Sequence, residues 1–286
     1  MKKKILVLGS SGQIGIHLCQ YLKKKYQVKK FDIIENHKFD LRKKKNLLLE
    51  NAIKKSDYIF FLAFDVGGSK YLKKFQTTYE FIINNLMIMV NTFELLSKYR
   101  KPFLFASSQM SNMIYSNYGV LKLIGEKVSK QLNGNFVKFW NVYGIEKDLK
   151  KSHVITDFII KSIKNKKIDM LTDGQETREF LHADDCSIGL EVIMKKHKEF
   201  KTQKNELHLT TGKKIKIIKI AKIIQKISKE KNIKVKIVPG KKKDMLQFDK
   251  KNKFNNYLFR FWKPKKDIYN GINEIFQYYY KNLKSN

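Results

Sequence analysis

Short, continuous apolar runs alternate with stretches of helical period along most of this chain. Ile5–Leu8 is the first run, and Ile16, Leu18, Cys19 and Leu22 follow it at helical spacing. Further strands are expected at Gln27–Ile34, Asp57–Ala63, Phe103–Ala106, Phe136–Trp140 and Glu206–Leu209. Between them, Thr77–Leu96 carries apolar residues at 82, 86, 89, 90, 93 and 96, which predicts an amphipathic helix. Other helices are expected from about Tyr118, over Ile215–Ile227 and over Ile268–Tyr280. An uninterrupted apolar strand is buried on both faces, as in a parallel sheet covered by helices. The pattern therefore predicts an α/β chain, whose ligands would bind outside the carboxyl ends of its strands.

The first strand runs into a turn with Gly9, Gly12 and Gly15, and with Gln13 and Ile14 at the expected helix start. Strand, glycine turn and helix form the context of a dinucleotide site, with phosphate at the helix N-terminus. Asp32 ends the second strand at the distance expected of an acid that binds the adenosine ribose hydroxyls. It favours NAD as cofactor, with NADP as the variant. The strand Phe103–Ala106 delivers Ser107 and Ser108 to its carboxyl end, and Tyr118 and Lys122 follow at i, i+4 spacing. On one helix face they would share a site, where a nearby ammonium would lower the tyrosine pKa.

At 286 residues, with 42% hydrophobic and 13% aromatic residues, the chain suits one large domain or two unequal ones. Its net charge of +34 would ordinarily suggest nucleic acid. However, the cations are nearly all lysine; arginine, the preferred reader of base edges, stands only at 42, 100, 178 and 260. The lysine runs are scattered, so the charge reads as a compositional bias, with no specific nucleic-acid partner. An anionic substrate would still benefit from the field. Cys19 and Cys186 have no metal-ligand spacing and form no disulfide framework, so no metal and a reducing, cytoplasmic setting are expected. No stretch approaches a membrane span.

The motifs resemble those of the extended short-chain dehydrogenase/reductase family, which acts mostly on nucleotide sugars. Gly9, Gly12 and Gly15 match its Gly-x-x-Gly-x-x-Gly cofactor turn. Asp40-Leu41 is similar to its adenine-touching pair, and Leu62-Ala63 to its cofactor-lining Leu-Ala-Ala, with Phe64 in place of the last alanine. Asp65 to Gly68 resembles a segment of the GDP-fucose synthases, where Gly67 would let backbone approach a sugar. Asn85 sits where the family holds the catalytic lysine through water. Pro102 to Ser108 is similar to the ADP-heptose epimerases, and implies Ser108 as the catalytic serine, with Ser107 in reserve beside the substrate. Asn141 to Gly144 matches a segment whose asparagine meets the sugar or its phosphates. Ser152-His153 resembles the fucose synthases again, whose histidine is a general acid. Thr177 to Asp185 is a further family mark, in which Arg178 would bind nucleotide ribose or diphosphate. Gly240 to Asp244 falls where relatives bring a cation to the diphosphate.

The resemblance implies a Rossmann doubly wound parallel sheet with a smaller C-terminal α/β substrate domain. The first would take residues 1–144 and about 183–206, the second about 145–182 and 207–286, and a homodimer is expected. The implied chemistry is hydride transfer at sugar C4, with Tyr118 passing the proton, Lys122 lowering its pKa and bonding the nicotinamide ribose, and Ser108 holding the reacting oxygen. Three departures narrow it. Gln109-Met110 replaces the Asp-Glu pair of the dehydratases, and Met110 replaces the cysteine base of the 3,5-epimerising relatives. Ser108 and Tyr118 are also only ten positions apart, where relatives interpose a longer segment. A 4-ketoreductase or 4-dehydrogenase is expected. A C4 epimerase with tightly held NAD, or a catalytically silent nucleotide-binding protein, are the alternatives.

Overall fold

The computed structural model describes residues 2–202, 204–241 and 254–284. Six strands form a parallel sheet: β1 (Lys4–Leu8), β2 (Gln27–Phe31), β3 (Tyr58–Phe61), β4 (Phe103–Ser108), β5 (Gly134–Phe139) and, later in the chain, β9 (His208–Leu209). Their order is β2-β1-β3-β4-β5-β9, with the chain reversing its direction of travel between β1 and β3. Alternation explains the continuous apolar runs. Ile5, Val7, Tyr58 and Phe60 point into one core, with Leu18 and Leu22 of α1 (Gln13–Leu22). Leu6, Leu8, Ile59 and Phe61 point into the other. There they meet Ile53 of α2 (Leu47–Lys54), Leu72 of α3 (Ser69–Phe75), Phe93 of α4 (Tyr79–Lys98) and Leu121 of α5 (Asn117–Gln131). Helices thus cover both faces, as the doubly wound expectation requires.

A third core lies apart from these two. It joins Phe158 and Ile159 of α6 (Val154–Asn165), Ile220 and Ile224 of α9 (Ile217–Glu230), and Ile272 and Phe276 of α10 (Ile268–Lys284). Two small sheets accompany it. In one, β6 (Asn141–Tyr143), β8 (Thr177–His182) and β10 (Lys214–Lys216) follow the order β10-β8-β6; in the other, β7 (Lys167–Asp169) pairs with β11 (Lys236–Val238). The first core also takes Leu190 and Ile193 of α7 (Ala183–Lys195), and Phe200 of α8 (His197–Thr202). Where the chain passes between cores, Asp184 accepts from His17 Nδ1 at 2.6 Å and from Lys266 Nζ at 2.9 Å. Asp185 accepts the backbone N–H groups of Lys265 and Lys266.

Several expected element bounds shift; the third strand, for example, stops at Phe61 rather than Ala63, and the fourth runs on to Ser108. The second strand stops at Phe31 rather than Ile34, because the Asp32 carboxylate turns back to accept the Ile34 N–H at 2.9 Å. The strand expected over Glu206–Leu209 pairs only at its last two residues. Among the described residues, no helix is long and apolar enough to cross a membrane.

Candidate active site

A cavity of about 1200 Å³ opens along the carboxyl ends of the sheet and continues towards the third core. One end is built on the glycine turn. Gly9 has φ +85°, and a Cβ there would stand 2.6 Å from Ala63 N. A Cβ on Gly15 would lie 2.1 Å from the Gly9 carbonyl oxygen, so the fold itself demands both glycines. Gly12 is different: its nearest neighbour would be 3.5 Å away, so nothing in the chain requires a glycine there. It opens α1, whose first backbone N–H groups face the cavity beside Gln13 and Ile14. Gln13 Nε2 is buried there without a partner. Asp32 accepts the Ser11 N–H at 2.9 Å and keeps lone pairs for a diol. An exposed glycine surface, an orphaned amide donor and this carboxylate fit a dinucleotide.

Leu62, Ala63 and Leu41 line the same end. Asp40 also lines it, but its carboxylate is held by Arg42 at 2.8 and 2.9 Å, which keeps its pKa below the usual carboxylate range. Asn85 does not line the cavity. It is fully buried, and its amide accepts from Asp65 N at 2.7 Å and donates to Asp65 O and Phe81 O. Asn85 thereby braces the Asp65 loop.

Midway, β4 presents its last two residues and α5 its first turn. Ser108, Tyr118 and Lys122 all line the cavity here, with Lys122 one turn beyond Tyr118 on the helix. The expected lowering of the tyrosine pKa is not met: burial raises it to about 12, against the opposing influence of neighbouring Ser108. Lys122 is 3% exposed and donates to Ala106 O at 2.7 Å, with its ammonium 3.6 Å from the Phe64 ring centroid. Burial lowers its pKa to about 7, against the pull of Glu126. Both groups are thus held towards neutrality. Ser107 differs from its expectation as well, because its hydroxyl is spent on buried Glu126, leaving Ser108 as the serine beside Tyr118.

The short segment between Ser108 and Tyr118 is compact. Ser108 Oγ accepts from Met110 N at 3.2 Å, starting a 3-10 turn over Gln109–Asn112. Met110 and Met113 are buried in the core, and a Cβ at Gly119 would lie 2.3 Å from the Met110 carbonyl oxygen. Turn and helix are packed that closely.

The far wall carries Asn141, at the start of β6, and Arg178, on β8. Burial lowers the Arg178 pKa against nearby Glu176, while its Nη1 donates to Thr177 O at 2.8 Å. Lys241 also lines the cavity; Lys242 to Asp244 lie outside the described residues. His153 caps α6 and places Nδ1 2.6 Å from Glu146 Oε1. Burial works against its charge, but Glu146 prevails and the pKa is raised. Gly67 lines the cavity too, yet its need for glycine is internal, since a Cβ would meet Tyr71 and Lys151 at 2.9 and 3.0 Å. Sequence reasoning missed Glu146 and the Lys151–Asp65 pair at 2.8 Å. No motif marks either; proximity alone reveals them.

The chain belongs to the NAD dependent epimerase/dehydratase family, whose model matches residues 5–206. It is 26% identical over 271 residues to an uncharacterized UDP-glucose epimerase of Bacillus subtilis, covering 80% of this chain and 83% of that one. It is 31% identical over 123 residues to a GDP-L-fucose synthase of Sinorhizobium fredii, covering 38% of each. An epimerase from Methanothermobacter thermautotrophicus superposes with a TM-score of 0.83 at 18% identity, over 99% of this chain and 94% of that one. The chain is thus an enzyme of an NAD-dependent family with a Rossmann-type sheet.

Proposed function

We propose that this protein is an NAD-dependent nucleotide-sugar oxidoreductase that transfers hydride at sugar C4, as a 4-ketoreductase or 4-dehydrogenase. The observation that carries the reading is the convergence of Ser108, Tyr118 and Lys122 on the cavity that also holds the glycine turn. Gly9, Gly12, Gln13, Ile14, Gly15 and Asp32 would hold NAD, which when bound supplies the hydride acceptor or donor. Tyr118 is an acid with its proton in place at neutral pH. In reduction it gives that proton to the new alkoxide, while Ser108 donates to the same oxygen. In oxidation the proton returns. Arg178 and Asn141 would meet the diphosphate and sugar. The two small sheets and the third core would form the substrate domain.

Met110 has no proton to exchange, which supports redox at one carbon over 3,5-epimerisation. A C4 epimerase is the second reading, favoured by the relative described as a UDP-glucose epimerase. The two differ in stoichiometry: a reductase consumes NADH, whereas an epimerase holds NAD and needs none added. The test follows reduced-nicotinamide absorbance with a panel of UDP- and GDP-sugars and their 4-keto forms. Tyr118→Phe should cost about 10²- to 10⁴-fold in kcat while the protein still binds NAD. Undiminished turnover removes the tyrosine from the mechanism, and a panel that neither reacts nor binds leaves a silent nucleotide-binding protein.

Exposed Tyr79, Met87 and Val90 on α4, with Ile124 on α5, support a homodimer through these helices. Light scattering on the eluting protein should give twice the chain mass.

A further inference from the structure

Glu146 lies in the loop after β6 with its carboxylate 7% exposed, inside the cavity wall. Its Oε1 stands 2.6 Å from His153 Nδ1, and its Oε2 accepts the His153 backbone N–H at 3.1 Å. Its own backbone is clamped twice by one phenol. Glu146 N donates to Tyr279 Oη at 2.7 Å, and that hydroxyl donates back to Glu146 O at 2.9 Å. The histidine is seated from the other side by the glycine pair. Gly68 N donates to Lys151 O at 2.9 Å, and a Cβ at Gly68 would be 2.4 Å from Ser152 O. Distant parts of the chain therefore fix the backbone on both sides, and the Glu146 carboxylate holds the imidazole, whose side chain is 41% exposed.

We propose that Glu146 is a positioning residue: it holds His153 with Nδ1–H on its carboxylate, so that Nε2–H is presented to an oxygen of the bound sugar as a charged donor. The proposal rests on the reading of this cavity as a nucleotide-sugar site. The other charges around the ring are compensated or solvated. Lys151 pairs with Asp65 at 2.8 Å, and Lys70 and Lys161 pair with Asp157 at 2.9 and 3.1 Å. Lys147, Asp148 and Lys150 of the same loop are exposed. Glu146 is the buried charge in contact with the ring. A carboxylate on one ring nitrogen fixes the tautomer and leaves the second nitrogen for the ligand.

The experiment combines the NMR titration of His153 with pH profiles of kcat/KM, for wild type, Glu146→Gln, Glu146→Asp and His153→Asn. In Glu146→Gln the His153 midpoint should fall, and kcat/KM at pH 7.5 should drop roughly tenfold. The loss should shrink towards pH 6, where the ring is protonated without its partner. Glu146→Asp should restore the midpoint in part; His153→Asn should lose activity with no recovery at low pH. NAD affinity, read at the glycine-turn end of the cavity, reports that each variant is folded. A midpoint unmoved in Glu146→Gln, or a loss equal at pH 6 and pH 7.5, overturns the proposal. If wild type neither binds nor turns over any nucleotide sugar, the functional reading fails, while the titration still decides the Glu146–His153 coupling.

Discussion

Lys122 holds its ammonium 3.6 Å from the centre of the Phe64 ring, closer than to the Tyr118 ring at 5.7 Å. Of its three donors, one goes to Ala106 O and a second direction is covered by the ring face. Phe64 stands where the family pattern has alanine. A ribose hydroxyl seeking this ammonium must compete with the ring, and an exchange of this kind is worth about 0.5–2 kcal/mol. Phe64→Ala should therefore tighten NAD binding by roughly 2- to 20-fold in a calorimetric titration. Unchanged or weaker binding would show that the ring does not compete.

Burying Lys122 should also leave a mark on stability. Burial lowers its pKa in the folded state to about 7 from the ordinary lysine value of 10.5. Between those values the unfolded chain binds more protons, so stability rises with pH across that window and the penalty is full below it. Lys122→Met removes the penalty and keeps the volume. It should raise Tm by roughly 5 °C at pH 6–7, with a smaller gain near pH 10, and abolish turnover. A gain that does not shrink with pH would mean that packing, not charge, is responsible.

The three glycines of the turn should separate in function. Gly15→Ala places a Cβ 2.1 Å from a backbone oxygen and should cost about 1–3 kcal/mol in a denaturant melt. Gly12→Ala meets nothing closer than 3.5 Å, so its melt should be near wild type while NAD affinity falls. If Gly12→Ala binds NAD normally, the dinucleotide does not approach that glycine.

The junction at Asp184 should show the opposite pH sense to Lys122. His17 first, and Lys266 after it, lower this carboxyl's pKa in the folded state. Its contribution is present above the ordinary aspartate value of 3.8 and is lost as pH falls through the folded one. The side chain is half-exposed, so solvent screens the pair and the effect is modest. Asp184→Asn should lower Tm by a few degrees at pH 7, and the difference should narrow below pH 4. A difference independent of pH would assign the loss to hydrogen bonding alone.

The sequence by itself determined the parallel sheet, the glycine turn with Asp32, and the placing of Ser108, Tyr118 and Lys122 in one region. Those features are local: strand runs, helical spacing and glycine positions are written in neighbouring residues. Only the tertiary structure decided what each polar group spends its hydrogen bonds on. Asn85 went to the Asp65 backbone and Ser107 to Glu126, both through contacts between separate elements. It also decided the direction of the tyrosine pKa, because burial is a property of the packed cavity and outweighs a helical neighbour turned towards Ala106. Glu146 reaches His153 only because a loop, a helix cap and the final helix converge there, and no spacing in the chain records that meeting.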